Sequence, residues 1–88
     1  MSFVPIHEEI LNEQDVMYLV GSLISRQLEG FTSNQIMNLA KEYLKGSPYQ
    51  ISDEDLFSMI DYELGILWRT GFVEAKDGQY RLTRGDIV

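Results

Sequence analysis

The sequence predicts an α+β, mostly helical fold, in which a three-helix bundle is followed by a C-terminal β-hairpin. Three helix-start signals lie along the chain, at Asn12, Thr32 and Ser52. After Gly71 the spacing of the apolar residues changes from a period of about 3.6, typical of helices, to a period of two, typical of strands. The Asp77-Gly78 dipeptide then lies between two short alternating segments, which is the pattern of a tight hairpin.

Each helix-start signal combines an N-cap residue with one apolar residue before it and another four positions after it. These apolar pairs are Leu11 with Val16, Phe31 with Ile36, and Ile51 with Leu56. Such a pair forms a hydrophobic staple, and Thr32 with Gln35 adds a capping box. Gly30 and Gly46 are stop signals for the first two helices. We therefore expect helices over 13–29, 33–45 and 53–69.

Apolar residues recur at three- and four-residue steps within each predicted helix, so each helix has one apolar face. The predicted core residues are Val16, Leu19, Val20, Leu23, Ile24 and Leu28 in the first helix, Ile36, Leu39, Ala40, Tyr43 and Leu44 in the second, and Leu56, Phe57, Ile60, Leu64, Leu67 and Trp68 in the third. We expect Trp68 and the tyrosines at the edge of this core, where their polar atoms find partners.

The predicted hairpin runs over 72–83 with a two-residue turn. Counting outward from the turn gives the cross-strand pairs Ala75–Tyr80, Val73–Leu82 and Glu74–Arg81. The first two pairs lie on one apolar face, and the third is a pair of opposite charges on the other face.

The length of 88 residues fits one small domain, predicted over 12–83 between an arm at 1–11 and a tail at 84–88. The sequence has no cysteine, which excludes disulfides, thiolate catalysis and thiolate metal sites. It also has no apolar run long enough to cross a bilayer and no signal-peptide pattern, so we expect a cytoplasmic protein without membrane attachment.

The formal net charge is −7, and it is unevenly distributed. Residues 1–68 contain eleven acidic and three basic residues, a net charge of −8, whereas residues 69–88 have a net charge of +1. Nonspecific nucleic-acid affinity depends largely on lysine and arginine, so the helical part of the chain is poorly suited to it. The C-terminal part has the only local basic excess.

The segment from Ile60 to Thr83 contains spaced leucines, a glycine, an apolar pair and a hairpin that ends in Gly-x-Tyr-x-Leu-Thr. Together with the two preceding helices, this order resembles the winged-helix family over nearly the whole chain. In many DNA-binding members the third helix enters the major groove and basic wing residues contact the DNA backbone. The resemblance implies candidate contacts at Glu54, Asp55, Ser58, Asp61, Tyr62 and Arg69 on the third helix, and at Lys76, Gln79 and Arg81 on the wing.

Two features of the sequence depart from a DNA-binding member of that family. The solvent face of the third helix has three acids and one base, and a face with a net charge of −2 repels phosphates. The connection from Gly46 to Ile51 is also longer than a tight helix-turn-helix corner.

No residue set in the sequence predicts a catalytic, cofactor or metal site. The Asp53-Glu54-Asp55 run fits the first turn of a helix, where carboxylates complement the helix dipole. His7 is the only histidine, so no metal site of several histidines and no catalytic triad can be assembled within one chain. We therefore expect a protein that is not an enzyme and uses no cofactor.

The predicted function is a small interaction module that binds a protein partner, in gene regulation or in a mobile-element context. The candidate protein-binding residues are Asp55, Met59, Asp61, Tyr62 and Ile66, although the apolar ones also fit ordinary packing against the first helix or the arm. The alternative is a DNA-binding regulator that uses Arg69, Lys76, Arg81 and Arg84. The apolar arm residues Phe3, Val4 and Ile6 fit either docking on their own domain or pairing in a homodimer.

Overall fold

The computed structural model describes residues 10–83, which form three helices followed by one antiparallel hairpin. The helices are α1 (Glu13–Ser25), α2 (Ser33–Leu44) and α3 (Asp53–Arg69), and the strands are β1 (Val73–Lys76) and β2 (Gln79–Leu82). This confirms the predicted α+β, mostly helical fold. The expectations for the arm residues Phe3, Val4, Ile6 and His7, and for Arg84, fall outside the described residues.

All three helices begin where their N-cap residues predict. The Asn12 side chain accepts a hydrogen bond from the Asp15 amide (2.9 Å), and Ser52 accepts one from the Asp55 amide (3.1 Å). Thr32 forms a complete capping box, because its hydroxyl accepts from the Gln35 amide while the Gln35 side chain accepts from the Thr32 amide. These bonds satisfy backbone donors that a helix start otherwise leaves free.

The core lies where the three helices meet. Its buried side chains are Ile10, Val16, Leu19, Val20, Leu23, Ile24, Phe31, Ile36, Ala40, Leu56, Ile60, Leu64 and Val73. Most of these were predicted from the helical spacing, but Ile10 was not. The prediction of a hydrophobic staple between Leu11 and Val16 is wrong, because Leu11 is exposed and Ile10 is buried instead.

Leu28, Leu39 and Phe57, which were predicted to be in the core, are exposed, and so are Tyr43 and Trp68, which were predicted at its edge. Leu28 is 84% exposed and Trp68 is 57% exposed. In α2 and α3 the exposed residues lie at the margins of the apolar stripe, and a small domain has too few neighbours to cover a stripe of that width.

The first helix ends four residues earlier than predicted, at Ser25 instead of residue 29. The amides of Arg26 and Gln27 donate to the carbonyls of Leu23 (3.3 Å) and Ile24 (3.1 Å), which tightens the last turn. The Gln27 side chain also donates to the Leu23 carbonyl (3.0 Å). The chain then leaves the helix axis, and Leu28 lies in solvent because it is no longer part of the helix.

The early end of α1 lets the following segment reach the hairpin. The Phe31 amide donates to the Tyr80 carbonyl (2.8 Å), and the Tyr80 amide donates to the Phe31 carbonyl (2.7 Å). Phe31 therefore adds a one-residue bridge to the outer side of β2. Gly30 passes close to this strand, since a Cβ atom there would lie 2.5 Å from Gln79 Oε1.

The hairpin has the predicted register, with Val73 opposite Leu82, Glu74 opposite Arg81 and Ala75 opposite Tyr80. The turn residues Asp77 and Gly78 have φ angles of 56° and 79°, which is the pattern of a type I′ turn. Among the described residues, the ion pairs are Lys41–Asp53 and Lys45–Glu42, so Glu74 and Arg81 are aligned but not bonded.

Leu64→Ala is expected to lower the free energy of unfolding by about 2–5 kcal/mol, because it removes a fully buried side chain from the centre of α3. Leu28→Ala is the matched control and should change it by less than about 0.5 kcal/mol, since Leu28 is exposed. Urea denaturation followed by circular dichroism measures both. Equal losses in the two variants would contradict this core.

Gly78→Ala and Gly65→Ala should change stability in opposite directions. Gly78 has a φ angle of +79°, where a Cβ atom is strained, so its replacement should cost about 1 kcal/mol. Gly65 lies within α3, and a Cβ atom there would meet nothing within 4 Å, so alanine should stabilise by about 0.4–1 kcal/mol. Urea midpoints of the two variants provide the comparison, and a destabilised Gly65→Ala protein would refute it.

Candidate protein-binding groove

An open groove of about 610 Å³ runs between the start of α1, the linker before α3 and the outer side of α3. We call it the α1–α3 groove. Its lining residues are Glu13, Met17, Tyr49, Gln50, Ile51, Ser52, Asp55, Ser58, Met59 and Tyr62. Three of the five candidate protein-binding residues predicted from the sequence, Asp55, Met59 and Tyr62, therefore line one surface.

The side of α3 that faces the groove is set by helical spacing. Asp55, Met59 and Tyr62 follow one another at steps of four and three residues, so their side chains lie along one strip of the helix. Met59 is half-buried and packs against the core, whereas Tyr62 is 60% exposed and Asp55 is exposed. The strip thus places a half-buried apolar side chain beside an accessible aromatic ring and an exposed carboxylate.

The opposite wall is built by the linker over residues 45–52. The Ser47 hydroxyl donates to the Tyr49 carbonyl (3.0 Å) and accepts from the Tyr49 amide (3.2 Å), which folds the linker back on itself. Tyr49 and Ile51 are half-buried against the core and line the groove at the same time. The long connection between α2 and α3 therefore forms one wall of the α1–α3 groove.

The groove has a negative charge. Among its lining residues, Glu13 and Asp55 are acidic and none is basic. Neither carboxylate belongs to an ion pair within the described residues. The Asp55 backbone amide is held by the Ser52 cap at 3.1 Å, which fixes the start of the helix that presents the Asp55 side chain. A ligand with positive charge would meet two unneutralised carboxylates here.

Two of the five candidate protein-binding residues lie elsewhere. Asp61 is exposed on α3 but does not line the groove, because one residue step from Tyr62 turns the helix by about 100°. Ile66 is half-buried one turn beyond Tyr62 and is also absent from the lining. Ile66 therefore continues the strip of Met59 and Tyr62 beyond the end of the groove, whereas Asp61 lies off that strip.

Several groove residues could not be identified from the helical pattern of α3. Glu13 and Met17 belong to α1, and Tyr49 and Ile51 belong to the linker. They come together only through packing of α1 and the linker against α3. The one sequence signal for them is the pair of apolar residues Tyr49 and Ile51 inside an otherwise polar connection.

Three of the four candidate nucleic-acid residues lie on the hairpin or at the end of the helix before it. Arg69 is exposed at the end of α3, and Lys76 and Arg81 line a depression of about 270 Å³ on the hairpin. The depression also contains the acidic residues Glu74 and Asp77, so its surface has mixed charge. Arg84 lies outside the described residues.

The acidic run at the start of α3 follows the Ser52 cap directly, as expected for carboxylates in a first turn. Asp53 forms an ion pair with Lys41 of α2 at 3.1 Å, which links the end of one helix to the start of the next. Within residues 10–83 no group of three or more histidine, cysteine or acidic residues is placed to hold a metal ion.

Comparison of the chain with protein-family models, curated proteins and solved structures found no significant match. None of the helices between residues 10 and 83 combines the length and the apolar character needed to cross a bilayer.

Proposed function

We propose that this chain is a non-enzymatic winged-helix interaction module that binds a segment of a partner protein in the α1–α3 groove. The observation that carries the proposal is the groove itself, in which Met59, Tyr62 and Asp55 present apolar, aromatic and acidic groups on one accessible surface. Protein interfaces combine such apolar anchors with a polar or charged rim.

The winged-helix assignment is supported by the bridge between Phe31 and Tyr80. The segment between the first two helices thereby pairs, through one residue, with the last strand of the two-strand sheet. The order of three helices, short bridge and hairpin is compatible with the family that the sequence resembles.

The apolar anchors determine affinity in this proposal. Tyr62 is largely exposed, and an aromatic ring buries a large area at a small cost in side-chain entropy when a partner covers it. Met59 and Met17 provide flexible apolar surface beside it, which adapts to the shape of a bound side chain. A large apolar residue of the partner fits between them.

The acidic residues determine which partners are accepted. Glu13 and Asp55 attract a segment that carries lysine or arginine and repel an acidic one. The remaining surface favours the same choice, since the whole chain has a net charge of −7. The proposed ligand is therefore a cationic segment with at least one large apolar residue.

Binding of short synthetic peptides tests this proposal. A peptide with one tryptophan or leucine flanked by lysines should bind, and the same peptide with glutamates in place of the lysines should bind about tenfold more weakly or worse. Tyr62→Ala should weaken binding of the cationic peptide about tenfold, because it removes the aromatic anchor. Fluorescence anisotropy of labelled peptides measures each affinity.

Two matched controls separate the groove from general surface effects. Asp55→Lys should weaken cationic-peptide binding, whereas Asp61→Lys makes the same change in net charge outside the groove and should leave it nearly unchanged. Tyr18→Ala removes another exposed tyrosine that does not line the groove. Equal effects of Asp55→Lys and Asp61→Lys would show that the groove is not the binding site.

DNA binding is the second candidate function, and the observation in its favour is the convergence of Lys76 and Arg81 on one face of the hairpin. Under this hypothesis the domain contacts phosphates through the hairpin and through Arg69 at the end of α3. The exposed acidic residues of α3 oppose a close approach of that helix to the duplex.

The DNA hypothesis predicts binding to duplex DNA at low salt with an affinity that falls steeply as salt rises. The double variant Arg69→Gln/Arg81→Gln should reduce that affinity and flatten the salt dependence by about two charges. Arg26→Gln, at the exposed end of α1, is the control. No binding to a mixed-sequence duplex at low salt would exclude nonspecific DNA binding.

A further inference from the structure

The outer edge of β1 has backbone groups that the hairpin does not use. Tyr80 directs its amide and carbonyl to Phe31, away from β1, so its partner Ala75 is in a non-hydrogen-bonded pair. The amide and carbonyl of Ala75 therefore point outward, away from β2. Among the described residues, no hydrogen bond outside the hairpin involves Ala75.

The side chains around this edge leave it accessible. Glu74, Ala75 and Lys76 are all exposed. The methyl group of Ala75 is small, so another strand can approach without a steric obstacle from this side chain. Natural proteins protect edges with charges because an open edge can pair with another strand, and here the two flanking charges have opposite signs.

The charges select one way for two copies of this edge to pair. In an antiparallel pair of β1 strands, residues whose backbone groups face outward, such as Ala75, must lie opposite other outward-facing residues. Registers centred on Glu74, on Ala75 or on Lys76 all meet this condition. Centring the pair on Glu74 places glutamate opposite glutamate, and centring it on Lys76 places lysine opposite lysine. Centring it on Ala75 places Glu74 of each copy opposite Lys76 of the other, which gives two attractive pairs.

We propose that the outer edge of β1 pairs with the same edge of a second copy of this chain, with Ala75 opposite Ala75 and Glu74 opposite Lys76 across a two-fold axis. The interface is self-complementary, as a two-fold axis requires. Neither Glu74 nor Lys76 has an ion-pair partner within the described residues, so both are available for these contacts. The hairpins of the two copies would form one continuous four-strand sheet.

This self-association does not depend on the binding proposed for the α1–α3 groove. The groove is lined by α1, the linker and α3, and it shares no residue with β1. Two copies joined through β1 carry two grooves, so a partner with two suitable segments would bind more tightly than a partner with one. The edge has only four residues, and we expect a reversible dimer.

Sedimentation equilibrium of the whole chain from about 10 µM to about 1 mM tests the proposal, because small interfaces dissociate in this range. The wild-type chain should shift from monomer to dimer as its concentration rises. Lys76→Glu should weaken the dimer about tenfold or more, since it converts both attractive pairs into repulsive ones. Within the hairpin Lys76 faces uncharged Gln79, so this change leaves the pairing inside each copy unaltered.

Charge exchange distinguishes the proposed register from a loss of folding. Glu74→Lys alone should also weaken the dimer, and the double variant Glu74→Lys/Lys76→Glu should restore it. A mixture of the two single variants should form heterodimers, because each copy then provides the charges that the other lacks. Circular dichroism confirms that each variant is folded.

Ala75→Pro tests the backbone contribution. Proline removes an amide that the hairpin does not use, so β1 and β2 should stay paired while the dimer is lost. A wild-type chain that stays monomeric throughout the concentration series would overturn the proposal. A dimer that is insensitive to Ala75→Pro and to the charge changes would overturn it as well.

Discussion

Two backbone hydrogen bonds between Phe31 and Tyr80, of 2.8 and 2.7 Å, join the connection between α1 and α2 to the hairpin. The two rings also lie close together, with centroids 5.9 Å apart. The chain leaves α1 at Ser25 before it reaches this contact, and Phe31 is almost fully buried just ahead of α2. The hairpin register makes Ala75 and Tyr80 a non-hydrogen-bonded pair, so the outer groups of Tyr80 face Phe31 and the backbone of Ala75 faces outward on the other side.

The linker between α2 and α3 has a comparable effect on the other side of the domain. A short corner would bring the two helices together without any wall beside α3. Here Tyr49 and Ile51 pack against the core, and the Ser47 side chain holds the turn that precedes them. The α1–α3 groove results from this length and packing, so the departure from a tight helix-turn-helix corner is the feature that creates the candidate site.

The distribution of charge separates the two surfaces that we propose for binding. The groove has two carboxylates and no base, which suits a cationic segment. The edge of β1 has an acid before Ala75 and a base after it. This order of charges suits antiparallel pairing with the same edge of a second copy. Net charge alone describes neither surface, because the contacts depend on where opposite charges fall along a helix or a strand.

The sequence by itself determined the local structure. The caps at Asn12, Thr32 and Ser52 and the Asp77-Gly78 turn depend on residues close together in the chain, so the helix starts and the hairpin register could be predicted. Tertiary structure decided the end of α1, the exposure of Leu28 and Trp68, and the joining of Met17, Tyr49 and Met59 in one groove. These features depend on the packing of residues far apart in the chain, such as Phe31 with Tyr80, which a helical or strand period does not encode.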